Sequence, residues 1–105
     1  MRDEKAASIL VHLAADWIAR EAGRQTLITP TRVDIGRDRK NATIFVSVFP
    51  DSDTPNALAF LERNRDEFRQ YLRTASRFSI LPFVHFELDE GERNRQHIDE
   101  ISKDI

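Results

Sequence analysis

"ALAFLERNRDEFRQYLRTA" forms residues 57–75, and this stretch decides the fold because its apolar helical stripe is interrupted in the middle. Spacings of three and four residues place one set of side chains on a single face of a helix. Between Leu61 and Phe68, that face offers only Asn64 and Arg65. The interruption therefore divides the stretch into two helical segments. The apolar stripe consists of Ala57, Leu58, Leu61, Phe68, Leu72 and Ala75.

The residues just before this stretch predict where the first of the two helices begins. Thr54 is a suitable N-cap, and Pro55 suits the first helical position, where its missing N–H removes no hydrogen bond. From there the helical spacing runs to about Ser76. At the interruption, Asn64 and Asp66 are residue types that can end one helix and cap the next.

Two strands precede the helical pair and one follows it. "TRVDI" (31–35) and "ATIFVSVF" (42–49) alternate with period two, and the turn formers of "GRDRKN" (36–41) separate them. This pattern predicts a β-hairpin with a basic tip. Pro30 cannot donate to a sheet, so we place it at the entrance of the first strand. "PFVHFEL" (82–88) alternates again and predicts a third strand.

A helix with a wide apolar face opens the chain, from Asp3 to about Glu21, and Gly23 is expected to end it in a left-handed conformation. The order helix, strand, strand, helix, helix, strand predicts an α+β domain with a three-stranded sheet and helices on one face. The strand residues expected in the core are Val33, Ile35, Ile44, Val46, Val48, Val84, Phe86 and Leu88, and those on the open face are Phe45, Phe49 and Phe83.

The composition is that of one packed domain. The 105 residues include 40% hydrophobic side chains and no cysteine, which excludes disulfides and thiolate metal sites and suits a reducing compartment. We expect a domain over residues 1–90 and a charged C-terminal tail over residues 91–105, either loose or forming a short helix. A helix that begins almost at Met1 leaves no room for a signal peptide, so the sequence predicts a soluble, cytoplasmic protein.

The acidity of the chain is concentrated in its tail. The formal net charge is -2, but residues 81–105 contain three basic and seven acidic side chains, which leaves the preceding body at +2. Ile98, Ile101 and Ile105 give the tail only a weak helical pattern. Because the local field governs contact with a polyanion, the positive body permits a nucleic-acid partner.

Three blocks of the sequence resemble the ribosome-binding factor A family, small bacterial proteins that act late in assembly of the small ribosomal subunit. "TRVDIGRDRKNATIFVSV" (31–48) is similar to the family's strand–turn–strand pattern. A helical Arg and Leu followed ten residues later by Pro form the second block, and "PFVHFELDEG" (82–91) forms the third. The residues that carry the last two blocks are Arg69, Leu72, Pro82, Phe86 and Asp89.

The resemblance implies a type II KH-like fold and binding to 16S rRNA on the 30S subunit. Ordinary KH domains carry a Gly-x-x-Gly loop between two helices, whereas this chain has no glycine between Gly36 and Gly91. The family has an Ala-x-Gly helical kink at that place, and the residues aligned with it here are Asn64, Arg65 and Asp66. The position of the kink is kept, but its small residues are not.

The residues expected to contact rRNA lie at the hairpin tip and along the second helical segment. Arg65, Arg69 and Arg73 are spaced by four and form one ridge, with Arg77 just past its end. Guanidinium groups in a row suit phosphates, because each offers two parallel N–H donors. Spacing alone favours a solvated face paired with nearby carboxylates, and the resemblance favours phosphate contact. The candidate RNA-binding residues are Arg37, Arg39, Lys40, Asn64, Arg65, Arg69, Arg73 and Arg77.

The sequence indicates neither catalysis nor a metal site. His12, His85 and His97 lie on different predicted elements, and no metal-binding spacing or Gly-rich phosphate loop is present. We therefore expect a non-enzymatic protein without cofactor, small-molecule substrate or membrane partner, and the resemblance implies that it is a maturation factor of the 30S subunit, acting as a monomer. The alternative is a protein-interaction or dimerisation module that uses the open aromatic face of the sheet.

Overall fold

The computed structural model describes residues 2–78, 80–92 and 94–95, with side chains from Lys5 onward. The elements follow the predicted order, and the interrupted stretch forms two helices. Residues 90–92 and 94–95 are helical. The elements are α1 (Arg2–Glu21), β1 (Leu27–Ile35), β2 (Asn41–Phe49), a short 3-10 turn (Asp51–Asp53), α2 (Thr54–Arg63), α3 (Arg65–Ala75) and β3 (Phe83–Leu88).

The three strands form one sheet in the order β1-β2-β3. β1 and β2 are antiparallel, as the hairpin requires, whereas β2 and β3 are parallel. The parallel register places Asn41, at the start of β2, opposite Phe83 at the start of β3. Of the strand residues expected in the core, Ile44, Val46, Val48 and Val84 are buried, and Val33, Ile35, Phe86 and Leu88 are partly buried against them.

Phe68 of α3 lies at the centre of the core and is fully buried. Its ring centroid is 5.1 Å from that of Trp17 in α1 and 5.6 Å from that of Phe86 in β3. Trp17 also stacks on Phe60 of α2 at 6.0 Å. Aromatic pairs of this kind contribute about 0.5–1.5 kcal/mol each beyond the burial of their area. Rings from all three helices therefore meet at one place and hold α3 against the sheet.

Asn64 is the residue at which the helical stretch breaks, with φ -107° and ψ 16°. Its backbone N–H and its side-chain Nδ2 both donate to the carbonyl oxygen of Phe60, at 3.1 and 2.8 Å. Asn64 thus ends α2, as expected, but its side chain does not cap α3. Asp66 and Glu67 instead lie in the first turn of α3, where carboxylates interact favourably with the helix dipole.

Two predicted helix ends were wrong. Thr54 is already helical and Asp53 is the N-cap of α2, because the 3-10 turn runs directly into the helix and the Thr54 hydroxyl donates back to the Asp51 carbonyl oxygen at 2.7 Å. Gly23 is not left-handed. The Ala22 N–H donates to the Ile18 carbonyl oxygen at 2.8 Å, so α1 closes with an ordinary helical turn and needs no glycine there.

β1 is longer than predicted, because it begins at Leu27 rather than at Thr31. Pro30 consequently lies inside the strand and not at its entrance. The pairing register with β2 shifts between Pro30 and Arg32, so Thr31 stands outside the regular ladder. β1 pairs on one side only, and an edge strand with a bulge is where a residue without an N–H is tolerated.

Some sequence expectations concern regions or sites beyond this core. Ile98, Ile101 and Ile105 of the tail lie outside the described residues, as does His97. Within the residues that are described, no helix combines the length and apolar character needed to cross a bilayer. The same residues contain no group of three or more His, Asp or Glu side chains able to hold a metal ion.

Candidate nucleic-acid interface

The two groups of predicted basic residues lie toward one end of the molecule. The start of β3 sits beside the hairpin tip, where the Phe83 N–H donates to the Lys40 carbonyl oxygen at 2.8 Å. α3 ends at Ala75, and Phe78, Ile80 and Pro82, which follow it in the chain, line a pocket together with Arg39 of the tip. We refer to this region as the basic end, defined by Arg37, Arg39, Lys40, Arg65, Arg69, Arg73 and Arg77.

The hairpin tip is a compact turn closed by hydrogen bonds. The Gly36 N–H donates to the Asn41 carbonyl oxygen at 2.8 Å, and the Arg39 N–H donates to that of Gly36 at 2.9 Å. The Lys40 N–H donates to the Asp38 carboxylate at 2.9 Å. Arg39 adopts φ 61°, a left-handed conformation that is uncommon for a residue with a side chain. The exposed basic side chains of the turn are Arg37, Arg39 and Lys40.

Arg65 is held between a carboxylate and an imidazole. Its Nη2 lies 3.2 Å from Glu62 Oε1, and its Nη1 lies 3.2 Å from His85 Nδ1. A guanidinium can only donate, so His85 Nδ1 is the acceptor and a neutral His85 carries its proton on Nε2. The pairing with a carboxylate that helix spacing suggested for the ridge is thus found at Arg65, through Glu62. The separate contact with Arg65 leaves His85 Nε2 as a hydrogen-bond donor.

Arg69 is half-buried, as is Arg65, whereas Arg73 is exposed. Its Nη2 donates to the Leu81 carbonyl oxygen at 3.3 Å, and its guanidinium carbon lies 4.5 Å from the ring centroid of Phe83. Within the described residues, Arg69 Nε is the only buried side-chain nitrogen or oxygen without a hydrogen-bond partner. These contacts fix the guanidinium between α3 and β3.

The remaining candidates differ in how accessible they are. Arg73 and Arg77 are exposed, and neither pairs with a carboxylate in the part of the chain that the structure describes. Asn64 is half-buried and its amide donates within the helix pair. The predicted set therefore separates into exposed cations, two arginines held by neighbouring groups, and an amide that ends a helix.

A cavity of about 280 Å³ lies between α3 and β3 at the basic end. Arg65 and Arg69 reach it from α3, while Phe83 and His85 reach it from β3. Asn41 was missed by the sequence analysis. Strand alternation places Phe83 and His85 on one face, but only the parallel register places Asn41 beside them. The cavity is lined by Asn41, Arg65, Asp66, Arg69, Phe83, Val84 and His85.

The three aromatic residues predicted on the open face have different environments. Phe49 and Phe83 are each 59% exposed. Phe45 is half-buried, because the guanidinium carbon of Arg32 lies 3.7 Å from its ring centroid. Leu27 pairs with Phe49 across the hairpin and is 64% exposed. On the open face of the sheet, exposed apolar surface thus lies at Phe83 and at the end of the hairpin opposite the basic tip.

Asp89 follows β3 and is bound to β1. The Thr31 hydroxyl donates to Asp89 Oδ2 at 2.6 Å, and the Glu92 N–H donates to Oδ1 at 3.1 Å. Arg32 Nε lies 3.9 Å from Oδ2, and the Asp89 side chain is only 12% exposed. The hydrogen bond from Thr31, followed by that from Glu92 and by the charge of Arg32, holds the pKa of Asp89 below its usual value of 3.8. Asp89 therefore ties the end of β3 to β1.

Comparison with known proteins gives one consistent match. The family model described as ribosome-binding factor A matches residues 2–102. The ribosome-binding factor A of Natranaerobius thermophilus is 28% identical over 108 residues, which cover 100% of this chain and 82% of that protein. The similarity thus extends over the whole described fold, including the helix break and both ends of the sheet.

Solved structures share the same architecture. The crystal structure of ribosome-binding factor A from Thermus thermophilus matches with a TM-score of 0.69 and 22% identity, covering 78% of this chain and 90% of that chain. A homology model of the Thermus thermophilus protein, fitted into a cryo-EM map of a 30S complex, matches with a TM-score of 0.68 and 22% identity over 77% of this chain and 88% of that chain. The likeness confirms the predicted KH-like α+β fold.

Proposed function

The chain belongs to the ribosome-binding factor A family, and from that membership we propose that it is a non-enzymatic maturation factor that binds 16S rRNA of the small (30S) ribosomal subunit with its basic end. The Thermus thermophilus relative is described in a complex with 30S. The proposal places this protein on the same particle, in the cytoplasm, as a monomer. Its action would be to hold or remodel an rRNA conformation while the subunit matures.

The observation that carries the proposal is the gathering of exposed cations at one end of a chain whose net charge is negative. Arg37 and Lys40 are exposed at the hairpin tip. Arg73 is exposed in the last turn of α3, and Arg77 is exposed two residues after the helix ends. Because no carboxylate neutralises Arg73 or Arg77 within the described residues, both are available to phosphate oxygens. Contacts of this type give affinity without selecting a base sequence.

Co-sedimentation with 30S particles tests the proposal. We expect the wild-type protein to pellet with the particles and Arg73→Glu to bind about tenfold more weakly, since the change replaces a phosphate contact by repulsion. Arg24→Glu is the matched control, because Arg24 is an equally exposed arginine in the loop before β1, away from the hairpin tip. Equal affinity of the two variants would contradict the assignment of the basic end, and a wild-type protein that fails to pellet would contradict the function.

A second candidate function is a protein-interaction or dimerisation module. Leu27 and Phe49 favour it, because they are cross-strand neighbours and both are largely exposed. Arg32 reduces the apolar area available on the same face by covering Phe45. Sedimentation velocity of the isolated protein distinguishes the candidates: a dimer that persists at high salt and dissociates in Phe49→Ser would support the module.

A further inference from the structure

We propose that a small cavity beside α1 receives one aliphatic side chain of a partner protein, from a segment in which carboxylates flank that side chain. This is the cavity that Arg39 of the hairpin tip lines together with residues after α3, and we refer to it as the α1 cavity. It shares no lining residue with the cavity between α3 and β3. The inference goes beyond the proposed function and does not depend on it, because it concerns a protein partner and not rRNA.

The walls of the α1 cavity are apolar and come from three parts of the chain. Ala6 and Leu10 belong to α1, Ile35 ends β1, and Phe78 and Ile80 follow α3. Leu10 is only 1% exposed, whereas Ile80 is 59% exposed. The cavity therefore runs from the edge of the core to an apolar rim at the surface. Exposed apolar surface around a concave site is typical of a place where another molecule binds.

The volume of the α1 cavity suits one branched aliphatic side chain. An apolar cavity of about 150 Å³ takes up a molecule of benzene. The α1 cavity measures about 90 Å³, which matches a group with fewer carbon atoms, such as the side chain of leucine or valine. In protein interfaces, a few anchor side chains that fill such pockets contribute most of the binding energy.

The chemistry of the walls favours a protein segment over a nucleotide. The edge of a base needs several hydrogen-bonding groups around it, and recognition of an unpaired base adds a stacking surface. Among the described residues that line the α1 cavity, only Arg39 has a polar side chain. An aliphatic side chain needs no hydrogen-bond partner and gains free energy by leaving water. The occupant that fits is therefore an apolar side chain.

The charges beside the α1 cavity favour an acidic segment. Arg39 adopts φ 61°, and backbone outliers of this kind are concentrated at functional sites. Arg37 and Lys40 of the same turn are exposed, as is Arg77, one residue before the wall formed after α3. The carboxylate of the turn, Asp38, accepts a hydrogen bond from the Lys40 N–H. Carboxylates on either side of the anchor side chain would be attracted to these cations, and lysines would be repelled.

Fluorescence anisotropy with the full-length chain and labelled heptapeptides tests the proposal. Two probes carry a central leucine or a central alanine between glutamates, and a third carries leucine between lysines. We expect the wild type to bind the leucine–glutamate peptide about tenfold more tightly than the alanine–glutamate peptide, because the extra carbon atoms enter a partly enclosed cavity. The leucine–lysine peptide should not bind.

Variants of the chain locate the effect. Ala6→Leu fills the α1 cavity and should remove the preference for leucine, while its thermal midpoint stays at or above that of the wild type. Ala15→Leu is the matched control and should keep the preference, because Ala15 is an exposed alanine of the same helix outside this cavity. Ile80→Ser removes the apolar rim at a largely exposed position and should reduce the preference without loss of stability. If Ala6→Leu is destabilised, Ile80→Ser decides the question.

The outcomes distinguish the proposal from its rivals. Equal affinity of the wild type for the leucine–glutamate and alanine–glutamate peptides would overturn it, as would an unchanged preference in both Ala6→Leu and Ile80→Ser. If Ala6→Leu weakens binding of a single-stranded RNA heptamer as much as binding of the leucine–glutamate peptide, the cavity receives RNA and the protein assignment is wrong. Each result holds whether or not the wild type pellets with 30S particles.

Discussion

At the scale of single residues, the candidate site depends on which side chains have partners. The sequence predicted Arg65, Arg69 and Arg73 as equivalent members of one ridge, because spacing is all that a helix pattern reveals. The structure makes them different: Arg65 pairs with a carboxylate, Arg69 is held against Phe83, and Arg73 is exposed. Spacing along α3 could not show this, because the difference depends on β3, which arrives beside α3 only in the folded chain.

Asp89 carries a prediction at the same scale. The pKa of Asp89 in the folded protein lies below 3.8, so the native state favours the carboxylate. The stability that the Asp89 carboxylate contributes is therefore complete well above pH 3.8 and is lost as the pH falls below that value. Thr31→Val removes the hydroxyl that donates to Asp89. We expect the free energy of unfolding to fall by about 2 kcal/mol at pH 7, since hydrogen bonds to charged groups are the stronger ones.

Urea unfolding at several pH values measures this effect. The difference between Thr31→Val and the wild type should shrink toward zero below pH 3.8. Thr29→Val is the control, because Thr29 is an exposed threonine of the same strand. If the loss of unfolding free energy is independent of pH, or is equally large in Thr29→Val, the Thr31 hydroxyl does not stabilise the Asp89 carboxylate.

At the scale of elements, the order of helices and strands and the position of the helix break could be predicted from the sequence. Both follow from period and turn chemistry, which are local properties. The start of β1 could not be predicted. Pro30 indicates the beginning of a strand unless that strand is known to lie at the edge of the sheet. The parallel pairing of β2 and β3, which brings Asn41 into the cavity, also arises from contacts distant in sequence.

The helix break yields a prediction about Asn64. Asn64→Ala removes the side-chain donor to the Phe60 carbonyl oxygen, and the better helix propensity of alanine offsets only part of that loss. We expect the free energy of unfolding to fall by about 0.5–1 kcal/mol. Gln70→Ala makes the same kind of change within α3, at a position whose side chain makes no such bond, and should be neutral or slightly stabilising. Thermal unfolding of both variants measures the difference, and matching midpoints would mean that the Asn64 amide contributes nothing to the break.

At the scale of the whole molecule, charge is divided by region. The overall value of -2 conceals an acidic tail and a body with exposed cations at one end. The acidic tail could be predicted from the composition of each region. The gathering of cations at one end could not, because Arg37 and Arg77 are forty residues apart in sequence and reach the same region only through the return of the chain from α3 to β3.

Salt dependence tests this arrangement as a whole. If about six cations of the basic end contact phosphates, the logarithm of the 30S association constant should fall against the logarithm of salt concentration with a slope of roughly -4 to -5. Arg37→Gln should make the slope less steep by about 0.7–0.9, the value of one contact. Arg24→Gln should leave it unchanged. A slope near zero, or equal changes in the two variants, would contradict binding through the basic end.

Pro30 and the register shift beside it have a consequence for how this protein coexists with its own copies. The unpaired edge of β1 is one of the two places where another chain could extend the sheet by backbone pairing. A second chain that paired there would meet Pro30, which has no N–H to donate, and next to it Thr31, which lies outside the regular pairing register. The β1 edge is therefore a poor template for extending the sheet from molecule to molecule.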